Sequence, residues 1–100
     1  MNSDGSQREM SITVKVFGGL RESFNGGLHV YQLSAQSTLG SLLVALQAEF
    51  SDLSGKLVSG IEAGYLNVLV NGRNVRFLQG NDTELHDGDT VAFLPPVGGG

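Results

Sequence analysis

Residues 65–77 read Tyr-Leu-Asn-Val-Leu-Val-Asn-Gly-Arg-Asn-Val-Arg-Phe, and no other stretch constrains the fold as tightly. Apolar residues stand on both sides of Asn71-Gly72. That pair is the preferred centre of a two-residue type I′ turn, which needs positive φ at both positions. With the turn fixed there, Val68 faces Val75 and Leu66 faces Phe77 across two antiparallel strands. Both pairs fall on one face, so register and apolar pattern agree.

The flanking sequence supplies what this hairpin packs with. Ile12, Val14 and Val16 alternate with Thr13, Lys15 and Phe17, the pattern of a strand with one buried face. Gly18-Gly19 ends it, and Asn25-Gly26-Gly27 marks a turn before a second run, Leu28 to Leu33. An opening antiparallel hairpin follows. The period then changes from two to 3.6. Leu39, Leu42, Leu43, Leu46 and Phe50 line one side of a helix over residues 39–50. Thr38 suits its N-cap, because the hydroxyl accepts from an unpaired first-turn amide. The third helical position holds neither Glu nor Gln, so no capping box is expected. Gly40 lowers helix propensity by roughly 1 kcal/mol relative to alanine, so this helix needs a sheet to pack on. Ser51 to Gly64 shows no clear period. Asp87-Gly88-Asp89 turns the chain into a last strand, Thr90 to Leu94, with Val91 and Phe93 on one face and Ala92 and Leu94 on the other.

Strand, strand, helix, strand, short strand and strand make an α+β two-layer sandwich, one main helix on a mixed sheet of four or five strands. Placing the strongly apolar first and last strands side by side and parallel gives the β-grasp (ubiquitin-like) arrangement. The polar residues 1–10 read as a disordered leader. The domain runs over 11–96, and 97–100 read as a flexible glycine tail.

Composition removes several classes of function. One hundred residues suit one domain that buries about two-thirds of its unfolded surface, with little room for a deep pocket. Net charge is −4, and the six Lys and Arg form no stripe, so nucleic acid is not the expected ligand. The absence of cysteine removes disulfides, thiolate metal sites and a thiol nucleophile. No apolar run approaches the roughly 20 residues of a membrane span, so a soluble cytoplasmic protein without a membrane partner is expected. His29 and His86, the two histidines, lie in separate regions and read as surface residues. Asp82, Glu84, Asp87 and Asp89 lack the spacing of a calcium loop and read as turn chemistry. No serine stands in G-x-S-x-G. The chain shows no internal active site, no metal site and no site for a bound cofactor.

What is left is the segment Pro95-Pro96-Val97-Gly98-Gly99-Gly100. Two prolines keep it extended and unable to donate hydrogen bonds, one valine offers an apolar handle, and then side chains cease. Such a thread suits a narrow slot entered carboxylate first. "VKVFGGLRE" at 14–22, "LNVLVNGRNVRF" at 66–77 and "TELHDGDTVAFLPPVGGG" at 83–100, with the helix between them, resemble the MoaD/ThiS-type sulfur carriers. These are small β-grasp relatives of ubiquitin. The most specific piece is D-G-D-x-V-x-x-x-P-P-V-x-G-G, met by Asp87, Gly88, Asp89, Val91, Pro95, Pro96, Val97, Gly99 and Gly100, with Gly98 at the variable position.

The resemblance implies a protein co-substrate, not an enzyme. Its reactive group would be the Gly100 carboxylate, adenylated by a ubiquitin-activating-type enzyme that uses ATP. A sulfur donor would then displace AMP to leave a thiocarboxylate. A large sulfurtransferase subunit would receive the sulfur, with molybdopterin as the favoured destination. Two alternatives stand beside this. One is a ubiquitin-like modifier joined through Gly100 to target lysines, and the other is a β-grasp interaction module whose tail is never activated. Strand alternation further places Phe17, Leu69, Ala92 and Leu94 on the sheet face away from the helix, where the core leaves them unexplained. They are expected to form a partner-facing patch beside the tail.

Overall fold

A computed structural model describes residues 9–18, 20–50 and 56–95. Their elements are β1 (Glu9–Val16), α1 (Leu20–Ser23), β2 (Leu28–Ser34), α2 (Leu39–Glu49), α3 (Lys56–Ala63), β3 (Asn67–Val70), β4 (Arg73–Asn74) and β5 (Thr90–Leu94). The strands form one sheet in the order β2-β1-β5-β3-β4. β1 and β5 are parallel neighbours at its centre, and the other pairings are antiparallel.

Alternation builds the inner face. Ile12, Val14 and Val16 of β1, Val68 and Val70 of β3, and Val91 and Phe93 of β5 are buried against Leu39, Leu42, Leu43 and Leu46 of α2. Phe24 lies at the centre of an aromatic cluster, its ring centroid 5.6 Å from that of Phe93 and 5.7 Å from that of Phe50. The helix stripe expected over 39–50 is the one observed, with Phe50 as the C-cap.

Four expectations change at the level of detail. β1 begins at Glu9, and Met10 is buried, so the leader expected through residue 10 is too long by two residues at its end; residues 1–8 lie outside the described part. A capping box is present after all. Thr38 Oγ1 accepts from the Ser41 amide, and Ser41 Oγ accepts from the Thr38 amide. A hydroxyl at the third helical position does what a longer Glu or Gln side chain does elsewhere.

The unassigned stretch 51–64 contains α3, whose Leu57 is buried while Val58 and Ile61 pack on the core. Only Leu57, Val58 and Ile61 mark its apolar side, and Ser59 and Gly60 interrupt it. The hairpin at Asn71-Gly72 has the expected turn, with φ of 51° and 86°, and the expected register, Val70 opposite Arg73. Its second strand stops after Asn74, however. The Asn74 Oδ1 accepts from the Arg76 amide at 2.9 Å and starts a 3₁₀ turn over Val75–Phe77. Val75 still enters the core, but Phe77 points out, 84% exposed, and does not pair with Leu66.

Candidate functional site

β5 is the strand that runs into the tail, and short polar links fix its position. At its entry, Asp87 Oδ1 accepts from the Ser11 amide at 2.7 Å. Asp89 Oδ2 accepts from the His86 amide at 2.8 Å, and Asp89 Oδ1 accepts from Asn71 Nδ2 at 2.9 Å. Asn71 Oδ1 in turn accepts from the Thr90 amide at 2.9 Å. The two aspartates of the D-G-D turn therefore satisfy backbone and side-chain donors, tying that turn to the Asn71-Gly72 turn. No group of three His, Cys, Asp or Glu side chains able to hold a metal occurs among the described residues. His29 is half-buried on β2, with its ring 5.5 Å from that of Phe50, while His86 is exposed in the turn before β5. The two are not brought together into an acid–base pair.

Along its length β5 is held on both sides, by β1 and by β3. At its exit the Phe17 amide donates to the Phe93 carbonyl at 3.1 Å, extending the parallel ladder one residue beyond β1. The chain then turns at Gly18, φ 65°, which passes directly under Pro95. A Cβ on Gly18 would stand 2.9 Å from Pro95 Cγ, too close for any side chain. The sequence reading treats Gly18 only as a strand stop. Its structural job is to let the root of the tail lie against the end of β1. Pro95 is half-buried there. The tail positions Pro96, Val97, Gly98, Gly99 and Gly100 lie outside the described residues.

The face of the sheet turned away from the helices carries the four residues expected there. Ala92 pairs with Leu69 on one side and with Lys15 on the other, while Leu94 pairs with Asn67. Phe17, one residue past Val16, stands next to Leu94 on the same side and is 45% exposed. Leu69, Ala92 and Leu94 are half-buried. The structure adds two residues that the sequence reading left without a face. Leu28 pairs with Lys15 and is 64% exposed, and Val30 pairs with Thr13 and is 62% exposed.

This outer face is divided along its length. Near Pro95 the rows read Leu28–Lys15–Ala92–Leu69 and Phe17–Leu94–Asn67. At the far end stand Glu9 opposite Ser34 and Ser11 opposite Gln32, with Gln32 Nε2 donating to Ser11 Oγ at 2.9 Å. The apolar half is thus the half next to Pro95. Beside it, Leu69 also borders a hollow lined by Arg73, Phe77 and Leu78, so the exposed Phe77 extends the apolar surface past the sheet edge.

A mixed sheet with parallel first and last strands, crossed by one long helix and one shorter one, defines a ubiquitin-like β-grasp protein. Comparison with known proteins narrows the class. Residues 14–100 match the ThiS family, and the chain belongs to it. It is 37% identical over 92 residues to small archaeal modifier protein 3 of Haloferax volcanii, covering 91% of this chain and 100% of the relative. It is 35% identical over 95 residues to the sulfur carrier protein CysO of Mycobacterium tuberculosis, with the same coverage of 91% and 100%. Among solved structures, that of the Haloferax volcanii HVO 2177 protein superposes with a TM-score of 0.78 at 36% identity, covering 100% of this chain and 93% of the other. The relatives are named as carriers and modifiers, not as catalysts.

Proposed function

We propose that this protein carries sulfur on the carboxylate of Gly100. The observation that carries the reading is the family match through residue 100, which takes in the whole D-G-D-x-V-x-x-x-P-P-V-x-G-G run. A ubiquitin-activating-type partner would join the Gly100 carboxylate to the α-phosphate of ATP, releasing pyrophosphate and leaving an acyl-adenylate. Sulfide delivered by a sulfur donor would attack the carbonyl carbon, expel AMP and leave C(=O)–S⁻. Carboxylate oxygen is a poor leaving group and AMP a good one, which is why ATP is spent. The carrier itself holds no cofactor in this scheme, and the reaction belongs to the cytoplasm. Pro95 and Pro96 lack a backbone donor and would keep the arm extended, and Gly98 and Gly99 would let it pass a narrow slot. The apolar half of the outer sheet face, with Phe17, Leu69, Ala92 and Leu94, would hold the domain on its partner while the tail reaches the active site.

The test is ATP–pyrophosphate exchange with a cognate activating enzyme, followed by intact mass of the product. Wild-type protein should support exchange and, given a sulfide donor, gain the mass of one oxygen replaced by sulfur. Deleting Gly100, or replacing Gly99 by Val, should abolish exchange without changing the fold. Equal activity of the truncated and full-length proteins would overturn the carrier reading and leave the plain interaction module. One specific observation favours a second reading, conjugation to target lysines: the relative at 37% identity is named a modifier. A lysine-linked adduct in place of the thiocarboxylate would select it. The molybdopterin destination implied by the resemblance is a separate question, because neither curated relative's name specifies it. Sulfur transfer from the thiocarboxylate to a molybdopterin precursor on a large sulfurtransferase subunit is the assay that answers it.

A further inference from the structure

The strands of the apolar half of the outer face carry one charge, and Arg21 of α1 borders that half in a hollow with Phe17 and Leu28. Lys15 projects from β1 between Leu28 on β2 and Ala92 on β5, both its partners in register, and it is exposed. Phe17 and Leu94 occupy the next row toward Pro95, and Leu69 lies beyond Ala92. No carboxylate shares this half of the face among the described residues. The nearest acidic residue on the same side of β1 is Glu9, six residues back, or about 20 Å at the rise of a strand. The ion pair present among the described residues, His86 with Asp89, is elsewhere, so Lys15 has no carboxylate of its own.

In the free protein this arrangement carries no penalty, because water solvates the ammonium. Docking changes that. A partner covering Leu28, Ala92 and Leu94 expels the water around Lys15, and an ammonium left unpaired in an apolar contact is strongly unfavourable. A wholly apolar partner surface would therefore be rejected. One with a carboxylate at the right place would be accepted, so the charge sets which partner fits more than how tightly an apolar surface sticks.

We propose that Lys15 determines partner specificity, and that the adenylating partner presents one carboxylate within an apolar surface, opposite the row Leu28–Lys15–Ala92. This inference rests on the carrier reading above and names the chemistry of the surface that must receive the carrier.

The experiment is a titration of wild-type, Lys15→Arg, Lys15→Met and Lys15→Glu carriers in ATP–pyrophosphate exchange with the cognate activating enzyme. Thermal midpoints are measured on each, because a merely structural lysine would move those instead. Losing one member of a buried interfacial charge pair is a large loss and a like charge in its place adds repulsion, so Lys15→Glu should raise the half-saturating concentration about 30-fold or more. The exchange rate at saturation should stay unchanged, since the tail is intact. Lys15→Met should fall between Lys15→Glu and wild type, and Lys15→Arg should lie close to wild type. A wild-type carrier that supports no exchange would overturn the carrier reading and this assignment together. Wild-type exchange with an unchanged Lys15→Glu titration would overturn this assignment alone.

Discussion

β1 and β5 present opposite chemistry on their two sides. Their inward residues Val14, Val16, Val91 and Phe93 are no more than 2% exposed, packed on α2 and on Phe24. Their outward neighbours Lys15, Phe17, Ala92 and Leu94 carry apolar groups as well, yet Lys15 and Phe17 are exposed and Ala92 and Leu94 only half-buried. Composition does not separate the two sets, since both are rich in aliphatic and aromatic residues. Position in the alternation does. An apolar residue facing inward is part of what folds the domain, and one facing outward is available for another molecule. Substitutions on the two sides should therefore have different consequences, and they can be ranked by expected loss of stability.

Phe93→Ala should show the largest loss. Its side chain is wholly buried against Phe24, and emptying such a site costs about 3–5 kcal/mol, readable as a lowered midpoint in urea denaturation. A loss below about 1 kcal/mol would mean that the inner face is not the core. Asp89→Ala comes next. It removes a charged acceptor shared by the His86 amide and Asn71 Nδ2, and hydrogen bonds to charged groups contribute about 1.5–3 kcal/mol. Amide exchange at Thr90 should quicken along with the fall in thermal midpoint.

Tyr31→Phe should cost about 1 kcal/mol at neutral pH, the value of the 2.6 Å hydrogen bond that its hydroxyl donates to Glu49. Burial, that bond and the Glu49 charge hold the Tyr31 hydroxyl above its ordinary pKa of 10.0. The folded protein thus keeps a proton that the unfolded chain releases. This contribution is complete below pH 10 and is lost as pH rises beyond it, so wild-type stability should fall more steeply than that of Tyr31→Phe in alkaline denaturation. Leu28→Ser should show the smallest loss, within about 0.5 kcal/mol, because the side chain is exposed. Its effect should be on partner association. If it destabilised the domain as Phe93→Ala does, the contrast between the two faces would disappear.

Much of this architecture is legible in the residues because several local signals agree. Asn71-Gly72 fixes a turn, Val91 and Phe93 fix a face, and five apolar residues at helical spacing fix α2. What escaped depended on particular neighbours. α3 has three apolar positions and a glycine, too few for a period, and its Leu57 is buried only once the rest of the core is assembled around it. Phe77 looked like a strand residue until Asn74 capped the following 3₁₀ turn. Gly18 carried no signal of its role, since its contact with Pro95 joins residues far apart in the chain. Of the candidate site, the four patch residues follow from alternation alone. Leu28 and Val30 needed the β1–β2 register, and the meaning of Lys15 needed all three strands around it.

The parallel pairing of β1 with β5 also governs when a folded molecule can exist. Val14 finds its neighbour in Val91, so the centre of the sheet closes only across nearly the full length of the folded part. Contacts so distant in sequence form late and slowly. A chain cut anywhere before β5 lacks the middle strand of its sheet and leaves β1 and β3 with no common neighbour. Such a fragment is not a folded copy that merely lacks its tail, because its sheet has no centre. Folding thereby inspects the strand from which the tail departs.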